Sequence, residues 1–229
     1  MSTVLITGAN GNLGQAVTER MLKDGNRVLA LVGSGGAGDL PENEMLETHQ
    51  VDLMEGEKTT TFIESALEKH PELDAAVLLV GGFAMGRLSE SSPEELDKML
   101  RLNFYTTYHI VRNLLPYFLN NEKGGRFILI GSRPGLNPKE GKDMFAYTLA
   151  KSMVYHLAEF INVEGKGNNV TATVIVPSVI DTEDNRKAMP DADFSSWVPP
   201  ENIADSISFV LSDTGRMFRE TVIKIYNES

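Results

Sequence analysis

The sequence predicts an α/β protein in which a doubly wound parallel sheet carries helices on both faces. Short apolar runs typical of strands alternate along the whole chain with segments whose apolar residues recur at helical spacing. The run from Leu73 to Val80 is nearly continuous in apolar residues, as expected of a strand that is buried on both faces. This alternation favours right-handed crossovers between parallel strands. Because the chain holds seven such runs, we expect one seven-stranded parallel sheet.

Length and composition limit the class of protein. The 229 residues are few for two domains, so we expect a single domain over residues 1–229, without an internal repeat or linker. A net charge of -11 argues against nucleic acid or an anionic membrane as a partner. The absence of cysteine excludes disulfides, thiolate nucleophiles and cysteine metal sites, and no metal site is predicted. The chain opens on an apolar strand pattern, so we expect no signal peptide, no transmembrane span and a cytoplasmic protein.

A glycine-rich turn follows the first predicted strand, Thr3 to Ile6, and leads into a helix that continues through Leu22. A turn from a buried strand into a helix needs a permissive backbone, and a side chain would keep a pyrophosphate away from the backbone amides. The last glycine lets helix and strand pack closely, while the helix N-terminus offers free N–H groups to phosphate. The turn therefore predicts a dinucleotide-binding (Rossmann) domain, with cofactor contacts from Gly8, Asn10, Gly11, Asn12, Leu13 and Gly14.

The choice of dinucleotide is expected to depend on the end of the second predicted strand, Asn26 to Val32. A carboxylate there would favour NAD and a nearby Arg would favour NADP, but the chain has neither. Ser34 and the amides around it can hydrogen-bond a 2′-phosphate, which slightly favours NADP over NAD; a flexible loop is the alternative. The third predicted strand, His49 to Leu53, ends on Asp52. That carboxylate either accepts a hydrogen bond from an adenine amino group or is an ordinary strand-ending Asp.

Two features further along the chain are expected near the glycine-rich turn, at the edge of the sheet where the parallel strands end. Gly81 and Gly82 follow the buried strand and leave room for a ligand to approach the backbone, unless they only form a tight turn. A long helix is predicted over residues 92–119, with its end bent by Pro116. Asn103 lies inside this helix, where Asn is mildly unfavourable. Its side chain can instead form hydrogen bonds with backbone groups or with water. The helix has more apolar surface than one sheet face covers, which predicts a subunit interface.

A hydroxyl, a phenol and an ammonium follow the fifth predicted strand, Gly125 to Ile130. Ser132 comes directly after that strand and can either donate to a substrate carbonyl or serve a local turn. On the next predicted helix, Tyr147 and Lys151 stand one turn apart on one face. A phenol with a pKa of about 10 is a poor acid at neutral pH, and a nearby ammonium lowers that pKa. The pair predicts a proton donor, although this spacing also arises by chance.

The last third of the chain predicts a sixth strand over residues 170–176, a helix over residues 199–211 and a seventh strand over residues 220–226. Between the sixth strand and that helix, the segment from Asn185 to Trp197 has no regular period. Loops of this length often act as lids or binding loops. Its aromatic residues can equally be packing anchors.

Taken in order, the glycine turn, Asn103, Ser132, Tyr147 and Lys151 resemble the short-chain dehydrogenase/reductase family over nearly the whole chain. The resemblance implies that Tyr147 is the general acid or base, that Lys151 holds the nicotinamide ribose and lowers the Tyr147 pKa, and that Ser132 orients the substrate oxygen. It implies that Asn103 supports a water-linked proton relay. A homodimer or homotetramer built on the Asn103 and Tyr147 helices is also implied. The remaining implied cofactor contacts are Ser34, Asp52, Leu53, Gly81, Gly82, Tyr147, Lys151, Pro177 and Val179.

A narrower resemblance to the quinonoid dihydropteridine reductase branch rests on Leu79 to Gly86 and on Asp181 to Trp197. The chain departs from that branch by lacking an Asp after the second strand and by having Ser132. The family pattern Asn-Ala-Gly is replaced by Val80 to Gly82. The resemblance implies an NAD(P)H-dependent oxidoreductase that transfers hydride to a small carbonyl compound or a pterin-like substrate. The alternative is a non-catalytic NAD(P)-sensing binding protein on the same fold.

Overall fold

A computed structural model describes residues 2–228, and within them seven strands form one sheet. The strands are β1 (Thr3–Thr7), β2 (Arg27–Val32), β3 (Leu46–Gln50), β4 (Leu73–Leu78), β5 (Gly125–Ile130), β6 (Val170–Pro177) and β7 (Val222–Ile225). Their order across the sheet is β3-β2-β1-β4-β5-β6-β7, and every neighbouring pair is parallel. The direction of winding reverses between β1 and β4, which is where ligands bind in open α/β sheets. This topology confirms the predicted fold class.

Helices cover both faces of the sheet. They are α1 (Asn12–Lys23), α2 (Gly56–Lys69), α3 (Pro93–Leu100), α4 (Thr106–Asn120), α5 (Arg133–Leu136), α6 (Phe145–Glu164), α7 (Glu183–Ala188) and α8 (Pro200–Leu211). One core cluster, which includes Phe118 and Phe127, joins the sheet to α2, α4 and α6. The other joins the opposite face to α1 and α8 through Met21 and Ile207. Among the described residues, no helix is long and apolar enough to cross a bilayer.

The helical segment that carries Asn103 begins as predicted. Glu95 N–H donates to the Ser92 hydroxyl at 3.2 Å, Ser92 N–H donates to the Glu95 carboxylate at 3.0 Å, and Pro93 occupies the first turn of α3. Between α3 and α4 the chain remains helical but widens into a π-helical turn, Arg101–Tyr105. The sequence predicts the helix and misses this turn, which has Asn103 at its middle.

The third strand differs from its prediction. It occupies Leu46–Gln50 rather than residues 49–53, because the parallel pairing with β2 starts at Leu46 and ends at Gln50. Asp52 therefore lies in the turn after the strand, where its carboxylate accepts a hydrogen bond from Met54 N–H at 3.1 Å. The register is set by the partner strand, and a local apolar pattern does not reveal it.

The segment from Asn185 to Trp197 is also more regular than expected. Thr182 caps α7 by accepting a hydrogen bond from Asn185 N–H at 3.2 Å, and a short 3-10 turn follows at Phe194–Ser196. Trp197 is only 4% exposed, so it is a packing anchor. Elements this short show too few turns for an apolar period, and for that reason the sequence predicts an irregular loop.

Candidate active site

The glycine-rich turn lies where β1 ends and α1 begins. Gly11 precedes α1 with φ -77° and ψ 165°, and no described side chain caps this helix. A Cβ on Gly14 would lie 2.1 Å from the carbonyl oxygen of Gly8, so only glycine lets α1 and β1 approach this closely. Gly8 itself has φ +66°, in the left-handed region that favours glycine. An anion can therefore reach the N–H groups at the start of α1.

The side chains of the turn connect it to neighbouring segments. The Asn10 amide donates to the carbonyl oxygen of Gly36 at 2.9 Å, which ties the turn to the loop after β2. The Asn12 amide donates to the Asp184 carboxylate at 3.3 Å, which ties it to α7. Leu13 packs against the core cluster beneath α1. These three side chains thus shape the turn, and the backbone is the part that faces a ligand.

A cavity of about 460 Å³ opens beside the turn, between the ends of β2 and β4. Its lining brings together Gly8, Ser34, Asp52 and Leu53, four of the residues that the sequence assigns to a cofactor. Val80 and Leu102 add apolar walls. The shape and the mixed polar and apolar lining suit a planar base with a ribose attached.

Asn103 and the glycines after β4 form the next part of the site. The buried Asn103 amide accepts a hydrogen bond from Gly82 N–H at 3.1 Å and donates to the carbonyl oxygen of Met99 at 3.1 Å. A Cβ on Gly81 would lie 2.9 Å from Asn103 Oδ1 and 3.4 Å from Lys151 Nζ. Gly81 therefore has to be small because the side chains of Asn103 and Lys151 approach it, and a tight turn is not the only reason for a glycine here.

Lys151 is the most deeply buried charged group of the site. Its side chain is enclosed, and Nζ donates to the carbonyl oxygen of Ile130 at 2.9 Å, where β5 ends. Burial lowers the pKa of Lys151 to about 8, because desolvation disfavours the ammonium.

The pKa of Tyr147 shifts in the direction opposite to the sequence expectation. Burial raises this pKa, and a hydrogen bond with the Ser132 hydroxyl opposes the rise only in part. The expected lowering by Lys151 is wrong for this structure, in which the ammonium is held by the Ile130 carbonyl. Residue spacing predicts the proximity of two side chains, but it does not predict how far each is desolvated.

Ser132 has the local turn role that the sequence offers as one alternative, and its hydroxyl remains able to donate to a ligand. Its hydroxyl oxygen accepts a hydrogen bond from Gly135 N–H at 3.2 Å and so caps α5. The hydroxyl also lies within reach of the Tyr147 phenol. A serine oxygen has two lone pairs and one proton, so it can cap the helix and still donate to a ligand.

Sequence reasoning missed two aromatic residues at the site. The Tyr155 hydroxyl contacts the backbone of Ser132, and the signal for it was its position on the face of α6 that carries Tyr147 and Lys151. Phe83 is 59% exposed, and its ring lies 5.2 Å from the Tyr147 ring in an edge-on arrangement. An exposed aromatic ring beside a partly buried phenol marks the open side of the site.

The chain after β6 is held by contacts to the segments that follow it. Pro177 ends β6, and the Val179 carbonyl accepts a hydrogen bond from Val198 N–H at 2.9 Å. The Asp181 carboxylate accepts two hydrogen bonds from the Arg186 guanidinium, at 2.6 and 2.7 Å. This pair fixes α7 above the glycine-rich turn, in the position that the Asn12 contact also defines.

Comparison with known proteins identifies the family. The family model described as short chain dehydrogenase matches residues 2–193 of this chain. The chain belongs to the short-chain dehydrogenase family. Dihydropteridine reductase from Dictyostelium discoideum is 27% identical over 212 residues, which cover 89% of this chain and 85% of that protein. A blue fluorescent protein from a metagenomic library, solved with NADPH, has a TM-score of 0.86 at 19% identity and covers 99% of this chain and 97% of its own. The structure of ElxO with NADP bound has a TM-score of 0.85 at 21% identity. The match covers 98% of this chain and 96% of the ElxO chain.

As a short-chain dehydrogenase, the chain is an oxidoreductase of a family that binds NAD(P). Its own residues fit such a cofactor. The cradle at Gly8, Gly11 and Gly14 exposes backbone amides at the start of α1, and a cavity for the base lies next to it. Gly81 leaves the path from this cavity to Lys151 free of a side chain. The first half of α1 would thus hold the pyrophosphate, and Lys151 would lie near the nicotinamide end.

Proposed function

We propose that the protein is an NAD(P)H-dependent reductase in which Tyr147 protonates a carbonyl or pterin-like substrate. The observation that carries the proposal is the meeting of Tyr147, Ser132, Lys151 and Asn103 at one edge of the sheet, beside a cradle suited to a dinucleotide. When bound, the cofactor supplies hydride. The substrate then holds a developing negative charge that needs a nearby proton and hydrogen-bond donors.

The Tyr147 phenol is the proton donor of the proposed reaction. Like an unshifted phenol it is protonated at neutral pH, and burial raises its pKa further. Ser132 would orient the substrate oxygen next to that proton. Lys151 would hold the nicotinamide ribose and Asn103 would order water, so that the phenol is reprotonated from solvent.

The open side of the site supports a flat substrate. Phe83 presents an exposed ring beside the Tyr147 phenol, and aromatic rings pack well against planar conjugated molecules. The relative from Dictyostelium discoideum that is named dihydropteridine reductase supports a pterin-like ring as one candidate. A quinone or an aromatic carbonyl compound offers the same shape and an oxygen for Tyr147.

For the cofactor we propose NADP with a slight preference over NAD. No carboxylate directly follows β2, and the exposed Ser34 lines the cavity beside it. A 2′-phosphate would therefore meet a hydroxyl and backbone amides without like-charge repulsion. Titration with NADH and NADPH, followed by nicotinamide fluorescence, measures the preference. Tighter binding of NADH would contradict it.

We also propose a cytoplasmic homodimer or homotetramer built on α4 and α6. A groove of about 690 Å³ runs between these helices, and Tyr108, Leu115, Leu157 and Phe160 line it. An apolar groove of this size on one face favours association with a second copy of the chain.

The experiment that tests the reductase compares Tyr147→Phe with Tyr117→Phe. Both changes remove one phenolic hydroxyl, but the Tyr117 hydroxyl donates to Pro71 far from the site. With NADPH and either quinonoid dimethyldihydropterin or phenanthrenequinone, Tyr147→Phe should lower kcat by roughly a hundredfold or more. NADPH affinity should remain close to wild type, and Tyr117→Phe should turn over normally. If the protein binds NADPH but consumes it with neither probe, a cofactor-sensing role replaces the proposal.

A further inference from the structure

The hydroxyl of Tyr155 makes two hydrogen bonds to the backbone of one residue, Ser132. It accepts from Ser132 N–H at 3.0 Å and donates to the Ser132 carbonyl oxygen at 2.8 Å. The Ser132 backbone is thus held at both of its polar groups by a single side chain. A residue after a strand end normally has its amide or carbonyl bonded to a neighbouring turn or to water.

The surroundings of Tyr155 are built to admit its ring. A Cβ on Gly131 would lie 2.4 Å from the Tyr155 hydroxyl, and a Cβ on Gly135 would lie 3.1 Å from Tyr155 Cε2. Both glycines flank Ser132 closely, and Gly131 could not carry any side chain without displacing the phenol. The close approach of Tyr155 to Ser132 therefore depends on the sequence on both sides of the contact.

Tyr155 also continues a series on α6. Tyr147, Lys151 and Tyr155 follow one another at intervals of four residues, so they share one face of the helix. Lys151 Nζ contacts the Ile130 carbonyl, and Tyr155 contacts Ser132 two residues further along. The same helix thus carries the proton donor and aligns it with the end of β5 through two separate contacts.

We propose that Tyr155 is a positioning residue that sets the backbone of Ser132, and through it the Ser132 hydroxyl, against the Tyr147 phenol. The inference rests on the proposed function, because it assigns to Ser132 the orientation of the substrate oxygen. Tyr155 has no direct part in proton transfer, since its hydroxyl is engaged both as donor and as acceptor. Burial raises the pKa of Tyr155, which keeps the donated proton in place.

The first test needs no turnover. Tyr155→Phe keeps the ring and removes both hydrogen bonds, while Tyr117→Phe is the matched loss of a phenolic hydroxyl elsewhere. Amide hydrogen exchange followed by NMR should show the Ser132 amide exchanging roughly fivefold faster or more in Tyr155→Phe, and unchanged in Tyr117→Phe. An unchanged Ser132 amide in Tyr155→Phe overturns the inference, whatever the activity of the protein.

The second test separates positioning from a general structural role. With NADPH and either quinonoid dimethyldihydropterin or phenanthrenequinone, Tyr155→Phe should lower kcat by about tenfold with little change in the KM for NADPH, because small displacements near the chemistry are costly. In a Ser132→Ala background the same change should lower kcat by less than about twofold, since the effect passes through Ser132. Equal losses in both backgrounds overturn the inference. If Ser132→Ala itself leaves kcat unchanged, the proposed role of Ser132 fails, and the exchange experiment still decides whether Tyr155 holds its backbone.

Discussion

Lys151 shows how burial sets the chemistry of a single residue. Its ammonium lies inside the protein and donates to the Ile130 carbonyl. Burial lowers its pKa to about 8, because desolvation disfavours the charged form. The folded protein therefore releases this proton at a lower pH than the unfolded chain, whose Lys pKa is 10.5. Between these two values the unfolded state binds more protons, so stability rises with pH.

The difference between the folded and unfolded pKa of Lys151 predicts that this residue makes the stability of the protein depend on pH. Between about pH 7 and about pH 9.5 its contribution to the free energy of unfolding should rise by about 2 kcal/mol. Urea unfolding at several pH values measures this rise, which Lys151→Met should abolish, while the exposed Lys166→Met serves as control. The raised pKa values of Tyr147 and Tyr155 act in the opposite direction, but only near pH 10 and above, where those phenols ionise in the unfolded chain. A rise of the same size in Lys151→Met would contradict the assignment.

At the scale of single residues, the sequence predicts which side chains share a helical face, but it does not predict how the folded protein shifts their pKa values. The spacing of Tyr147 and Lys151 correctly places both on one helical face. It cannot predict that Tyr147 becomes a weaker acid, because desolvation depends on residues such as Phe83 that pack against the phenol from elsewhere in the chain. The position of Tyr155 on the same face of α6 indicates that it lies near these residues, but its contact with the Ser132 backbone is not marked by any residue pattern.

At the scale of elements, the contact between β1 and α1 depends on two glycines with different functions. Gly14 touches the backbone of Gly8 and Ala9, and a Cβ there would lie within 2.7 Å of three backbone atoms. Gly11 has φ -77°, which any residue adopts, and a Cβ there would meet only the Gly8 carbonyl at 3.3 Å. Gly14 therefore serves packing, while Gly11 leaves space at the start of α1, where the proposed pyrophosphate site lies.

Substituting alanine at each of these glycines should separate stability from binding. Gly14→Ala should lower the free energy of unfolding by on the order of 1–3 kcal/mol, because backbone atoms must move apart. Gly11→Ala should remain within about 1 kcal/mol of wild type and weaken NADPH binding instead, because its methyl group stands where the amides face the ligand. Thermal unfolding and fluorescence titration measure the two effects. A stable Gly14→Ala or a normally binding Gly11→Ala would refute this division.

The elements that the sequence predicts well are those with strong local patterns. The glycine turn, the capped start of α3 and the apolar strands all carry their signals within a few residues. The π-helical turn at Arg101–Tyr105 and the position of β3 have no such signal, because one depends on packing around Asn103 and the other on pairing with β2. Asp52 therefore lies two residues beyond the strand that was expected to end on it.

At the scale of the whole molecule, the two faces of the sheet are not equivalent. On one face α1 and α8 pack together over the core cluster of Met21 and Ile207. On the other face α4 and α6 leave a groove between them, and large apolar side chains at its rim remain exposed. Phe160 and Val163 are 66% and 71% exposed, which is costly for residues of this size unless another surface covers them.

The exposed groove predicts that a single charge placed in it will dissociate the assembly. Wild-type protein should sediment as a dimer or tetramer, and Phe160→Glu should lower the mass towards that of the monomer. In a two-fold interface the substitution occurs on both partners, so two unpaired carboxylates would be buried in the interface. Leu88→Glu is the matched control, because Leu88 is also exposed, at 69%, and lies outside the groove. Thermal unfolding of the isolated variants checks that each chain remains folded. A monomeric wild type would refute the proposed assembly, and an oligomeric Phe160→Glu of unchanged mass would show that α4 and α6 do not form its interface.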